Sequence, residues 1–236
     1  MRVRCHWLRA RIDRGLLRTI GEAMLTREYG RRRSAGFRVE ETRRDYIRGT
    51  YLERVEWDDV LEDPATGTLK LHRLEIRRLR FRLSVDGPEI EMVNPPRSAR
   101  PFLSALQECA GTGLAVMQIA VRPPMWLEVL EPEMTRPRVL AMSTEPLTLG
   151  ASTAAIVRIE GTADVRADLI KLLPRDSVEA NRLDVAWESR SGMARCELLA
   201  QGRALITSGS AEDVITFLRQ GLSRALKVSA VRRDEV

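Results

Sequence analysis

Lysine is scarce in this chain: of 39 basic residues only Lys70, Lys171 and Lys227 are lysine. Arginine codons are GC-rich and lysine codons are not, so a GC-rich bacterial genome is expected to account for most of the preference. The consequence is physical whatever its origin, because the planar guanidinium pairs bidentately with phosphate and carboxylate. Cysteine is also sparse. Cys5, Cys109 and Cys196 are odd in number, far apart and without a C-x-x-C pair, which argues against a disulfide framework or a zinc site and fits a reducing cytosol. Histidine occurs only as His6 and His72. Cys5 and His6 are neighbours on a predicted strand, so they face opposite ways and form no dyad. Aromatic residues make up 5% of the chain and do not interleave with the basic stretches, so base stacking of the kind single-strand binders use is not expected from sequence. No run approaches the ~18 apolar residues of a membrane span. The opening Met1-Arg-Val-Arg-Cys-His-Trp is too charged for a signal-peptide core, and a cytoplasmic location is expected.

What is abundant is positive charge at one end. The first hundred residues hold 23 basic residues against 16 acids, and the remaining 136 hold 16 against 17. The field of the molecule is built by its N-terminal half, which points to a polyanionic partner but not to a reaction. At 236 residues the chain suits one large domain or two small ones. The pattern predicts an α+β fold of antiparallel sheet with a few amphipathic helices. It divides into a basic half (residues 1–112) and a near-neutral half (residues 113–236).

Alternation of apolar and charged residues predicts strands over 2–11, 37–40 and 46–57. The clearest strand carries Leu79, Phe81, Leu83 and Val85 against Arg78, Arg80, Arg82 and Ser84. Asp86-Gly87 is a turn signal, with Ile90 to Val93 returning. Helices are expected over 14–25 behind an Asp13 cap and after Ser98, carrying Phe102, Leu106 and Cys109. Glu56 to Asp63 reads as an exposed acidic loop and Arg31, Arg32 and Arg33 as an exposed basic one. In the second half, 116–121, 126–130, 154–159, 183–187 and 196–206 read as extended, 166–173 as a short helix, and 210–226 as a helix opened by Ser210.

Three strings recur in order. Ile47-Arg48-Gly49-Thr50 resembles Ile159-Glu160-Gly161-Thr162, Arg73-Leu74-Glu75-Ile76 resembles Arg182-Leu183-Asp184-Val185, and Phe102-Leu103 resembles Phe217-Leu218. Two related strand–hairpin–helix halves would produce this order. Chance produces it too, since Leu and Arg are the commonest letters, and helix 14–25 has no counterpart.

Arg78, Arg80 and Arg82 repeat at about 6.8 Å along one strand face, close to the phosphate repeat of a nucleic-acid strand. The same row also fits a solvated outer sheet face. With Arg31, Arg32, Arg33, Arg43 and Arg44 it forms a candidate nucleic-acid-binding surface, provided these residues converge. Arg97 and Arg100 beside a helix start are candidates for completing an anion site, or are simply exposed. Glu56, Asp58, Asp59, Glu62 and Asp63 offer oxygen ligands for a hard cation, but they crowd into eight residues without a nuclease signature. Gly111-Thr112-Gly113 follows a helix, which fails the context test for a dinucleotide loop. No catalytic residue, metal ligand or cofactor is predicted. The expectation is a non-enzymatic intracellular nucleic-acid-binding or accessory protein, with no membrane partner. One alternative is a complex subunit that pairs arginine with an acidic protein surface. Another is a metal-dependent nuclease using the Asp58 region.

Overall fold

The computed structural model describes residues 2–31, 33–63, 67–150, 152–172, 179–207 and 210–234. The chain forms two compact units. One contains residues 11–85 and 92–115, the other residues 1–10, 86–91 and 116–236. The first holds 20 basic and 14 acidic residues and the second 19 of each. The whole net charge of +6 therefore belongs to the first, the basic unit. The expected α+β class holds, with antiparallel strands and five α-helices among the described residues.

In the neutral unit, β1 (Val3–Ala10) comes first in the chain. The basic unit follows with α1 (Arg14–Thr26), β2 (Ala35–Thr42), β3 (Tyr46–Asp63) and β4 (Gly67–Ser84). The chain passes between units along β5 (Ile90–Val93), and α2 (Arg100–Ala110) closes the basic unit. The neutral unit resumes with β6 (Val116–Gln118), α3 (Pro123–Leu130), β7 (Thr135–Thr144), β8 (Leu147–Gly150), β9 (Thr153–Ala155) and β10 (Arg158–Glu160). It ends with α4 (Arg166–Leu172), β11 (Ala180–Ser189), β12 (Gly192–Leu199), β13 (Arg203–Ile206) and α5 (Ala211–Asp234).

In the basic unit β2, β3 and β4 form an antiparallel meander. Alternation sends Phe37, Tyr51, Leu79, Phe81 and Leu83 inward, where all are buried. The stripe Leu17, Ile20 and Met24 of α1 and Phe102, Leu106 and Cys109 of α2 cover that side. Asp13 caps α1 as expected, its Oδ1 accepting the Leu16 N–H at 2.7 Å. The rings of Phe37, Phe81 and Phe102 meet at 5.3–6.4 Å. Burial, then the carboxylates of Glu53 and Glu108, push the Tyr51 hydroxyl up to about 12. Beyond the pair Ala35↔Glu53 strand β2 stops, while β3 and β4 stay paired out to Asp63↔Gly67. That distal stretch is a two-stranded arm, exposed from Gly67 to Ile76 along β4.

In the neutral unit the strands run β10-β7-β11-β12-β13-β1, each neighbouring pair antiparallel, and β6 pairs with the end of β1. Trp7 and Trp126 meet edge to face at 5.5 Å, and Trp126 Nε1 donates to the Leu218 carbonyl at 3.1 Å. Gly221 of α5 packs on Leu130 of α3 so closely that a Cβ there would displace the leucine. No helix among the described residues is long and apolar enough to cross a membrane.

Several local expectations need correction. Residues 126–130 are helical, not extended. Pro123 and Pro124 sit in the first turn of α3, where the missing N–H has no helical partner to lose. The stretch 56–63 is strand and not loop, because its acids face a basic strand: Asp58 lies 2.9 Å from His72 Nδ1, and Asp59 pairs with Arg73 at 2.5 Å. Ser98 does not cap α2. Ala99 holds the cap position, and the Ser98 hydroxyl accepts the Arg100 N–H at 3.4 Å. Residues 119–121 lie outside β6, 154–159 divides into two short strands, and 196–206 is interrupted by a turn at Gln201 and Gly202, both at positive φ. Of the recurring strings, Ile47–Thr50 lies on β3, which pairs with β4, whereas Ile159-Glu160 lies on β10, which pairs with β7. The matched strands are thus adjacent in one unit and separated by β7 in the other.

One ion-pair cluster in the neutral unit yields a pH prediction. Asp164 accepts the Arg166 N–H at 3.0 Å and the Arg166 guanidinium at 2.7 Å, while Arg166 also reaches Glu131 at 2.7 Å. Burial raises the Asp164 carboxyl, but the hydrogen bonds and charge of Arg166 outweigh it and leave it below its ordinary value. A depressed carboxylate contributes stability above its unfolded pKa of about 3.9 and loses it as pH falls through the folded value. Urea titrations of wild type and Asp164→Asn at neutral pH and near pH 2 are expected to converge in acid, with wild type the more stable at neutral pH. An unchanged gap at both pH values would contradict this linkage.

Candidate nucleic-acid interface

The outer face of the β2–β4 meander is built by register. Arg38 lies opposite Thr50, and Thr50 opposite Arg80, so one row crosses three strands. Strands lie about 4.8 Å apart, which puts the Arg38 and Arg80 backbones roughly 10 Å apart. One row on, Leu52 opposes Arg78, and in the other direction Arg48 opposes Arg82. Five arginines from three strands therefore share the face turned away from the Phe37–Phe81–Phe102 core.

Two acids share this face within the three-stranded part, and both are engaged. Glu40 accepts from the Thr50 hydroxyl at 2.8 Å. Glu41 pairs with Arg43 at 2.9 Å and with Arg48 at 3.6 Å, and hydrogen bonds from Arg43 and then Tyr46 hold its carboxyl below the usual range. The Arg82 guanidinium lies 3.5 Å from the centre of the Tyr46 ring, a cation–π stack that fixes the plane of the charge.

A cleft of about 490 Å³ opens on this face, lined by Tyr29, Arg38, Leu52, Ile76, Arg78 and Arg80 among others. Tyr29 reaches it because the segment after α1 runs along β2. The Tyr29 N–H donates to the Phe37 carbonyl at 3.1 Å, and the Phe37 N–H donates to Arg27 at 3.0 Å. Gly36 permits that approach, since a Cβ there would lie 2.6 Å from the Arg27 carbonyl oxygen. A second cleft, about 530 Å³, joins Arg14 and Arg18 of α1 to Arg43 and Arg44 over Leu17, Leu25 and Ile47. By contrast a cleft of about 650 Å³ in the neutral unit is lined by Glu133, Glu188 and Asp213 beside Trp187 and Phe217.

The candidates read from sequence are thus divided. Arg78 and Arg80 converge in the first cleft, Arg82 continues their row, and Arg43 and Arg44 belong to the second cleft. Arg31 and Arg33 are exposed in the turn before β2, where the Arg33 N–H bonds the Gly30 carbonyl, and Arg32 lies outside the described residues. Arg97 and Arg100 are exposed at the start of α2 and line neither basic cleft. Sequence reasoning missed Tyr29, Arg38 and Arg48, which only strand register brings beside the β4 row. Gly36, at the edge of the basic stretch, was the available sign of a close backbone approach.

The acidic residues do not assemble a metal site. Glu56, Asp58 and Glu62 alternate on one face of β3 while Asp59 is on the other, and Asp63 lies outside the described side chains. Among the described residues no three His, Cys, Asp or Glu side chains group as metal ligands. His72 is engaged by Asp58, and burial followed by the charge of Arg203 lowers the pKa of His6. Burial likewise pushes the Cys196 thiol up, away from a reactive thiolate. No protein-family model matches this chain, and no curated protein matches it.

Proposed function

We propose that this protein binds the phosphate backbone of a nucleic acid across the outer face of β2, β3 and β4. The observation that carries this reading is the sharing of one sheet face by Arg38, Arg48, Arg78, Arg80 and Arg82. The steps of about 6.8 Å along β4 match successive phosphates, and guanidinium groups pair bidentately with phosphate oxygens. The concentration of all net charge in this unit supports the reading through long-range steering. The reading is one of binding, carried by the arginines of this face.

The second reading, an acidic protein partner, draws on the same arginines, and salt dependence separates the two. Replacing Arg38, Arg78 and Arg80 by Ala is expected to weaken binding to a generic oligonucleotide and to flatten the slope of log affinity against log salt by roughly 2 to 3. Stability should stay within about 0.5 kcal/mol per site, since these side chains are exposed. Fluorescence anisotropy at several salt concentrations measures both. Failure of the wild type to bind any oligonucleotide at low salt would favour the protein-partner reading.

A further inference from the structure

We infer that the cleft beside Tyr29 takes an unstacked base, which makes the preferred ligand a single-stranded nucleic acid and not a duplex. The inference rests on the backbone-binding reading above and goes further by naming the form of the polymer. Its ground is that the cleft is not uniformly polar. Of its lining we take the apolar Leu52, Ile76 and Val93 as the floor and Tyr29 as the wall; Arg38, Arg78 and Arg80 line it too, as does Glu40, whose carboxylate is engaged by the Thr50 hydroxyl. Leu52 is 5% exposed although it lies on the solvent side of the sheet, so the apolar floor is set into a basic face.

A surface that only had to neutralise phosphates would have no use for such a recess. A duplex offers phosphates and base edges but keeps the faces of its bases stacked inside. A single strand can turn one base out, and an apolar floor with an aromatic wall is the surroundings a base face requires. The arginine spacing fits the same ligand. Arg78, Arg80 and Arg82 follow one line at about 6.8 Å per step, the interval of one strand, so phosphates on either side of the inserted base meet consecutive arginines. The volume of about 490 Å³ admits a base with its sugar. Tyr29 is held by its own backbone bond to Phe37, so the wall does not depend on its side chain for position.

The test uses the full chain and fluorescein-labelled oligonucleotides of about 12 nucleotides, as single-stranded RNA, single-stranded DNA and the matching duplex. Either single strand is expected to bind on the order of tenfold more tightly than the duplex. Tyr29→Ala should cost roughly tenfold on the single strand while leaving the salt slope and the duplex affinity unchanged, since stacking releases no counterions. Tyr29→Phe should retain wild-type affinity. Ile76→Ser, at an exposed floor position, provides a second variant with the same expected pattern. Equal affinity for duplex and single strand, or single-strand binding indifferent to Tyr29→Ala, overturns the inference and leaves the backbone reading intact. Absence of binding to all three probes at low salt overturns the backbone reading and this inference with it.

Discussion

Replacing Glu91 by Ala is expected to destabilise the neutral unit by about 3–5 kcal/mol, the cost of breaking a buried charge pair from one side. Glu91 is buried, and its Oε2 accepts from Trp7 Nε1 at 2.8 Å and from Arg219 at 3.1 Å. Removing the carboxylate strands an indole N–H and a guanidinium that is itself largely buried. Both then lose a partner without regaining water. The double variant Glu91→Ala, Arg219→Ala should cost less than the sum of the single changes, because the second removes a group the first has orphaned. Urea unfolding followed by tryptophan fluorescence measures this, since Trp7 reports on the site. A loss of under about 1 kcal/mol for the single change would show the network to be dispensable.

Phe81→Ala is expected to cost about 3–5 kcal/mol in the basic unit, as truncation of a fully buried aromatic does. Phe81 touches both Phe37 and Phe102, with ring centres at 5.9 and 5.3 Å, and Gly49 leaves room for its edge. Its neighbour Arg80 points the other way, so Arg80→Ala should reduce oligonucleotide affinity with little change in unfolding. On the proposed reading one strand would separate stability from binding at adjacent positions. Thermal melts and anisotropy on the two variants check it, and a stability loss at Arg80 equal to that at Phe81 would contradict the assignment of faces.

That alternation is also where the sequence was most legible. Period-two patterning placed Leu79, Phe81 and Leu83 in the core because one face of β4 packs on helices and the other meets solvent. The same rule failed a few residues earlier on the antiparallel partner. Glu56, Trp57, Asp58, Val60 and Glu62 are all exposed, so no apolar alternation marks this part of β3, and its signal lies in the complementary charges of Lys70 and Arg73 on β4. The Pro123-Pro124 pair reads as a break, yet proline is at home in a first helical turn. The cleft was least legible. Tyr29, Arg38, Leu52 and Arg80 are far apart in the chain, and only register makes them neighbours.

The arm formed by the outer halves of β3 and β4 gives one strand two lifetimes. A ribbon of two strands, with water on both sides, is marginally stable by itself. Its amides are expected to exchange with deuterium through local opening, at a rate set by the arm and not by unfolding of the unit. Along β4 the amides of Leu71 to Ile76 should label early, and those of Phe81 and Leu83, covered by α1 and α2, late. Trypsin should likewise find Lys70 and Arg73 well before Arg82, although all three lie on one continuous strand. A protease would thus clip the arm and leave the arginine row on its scaffold.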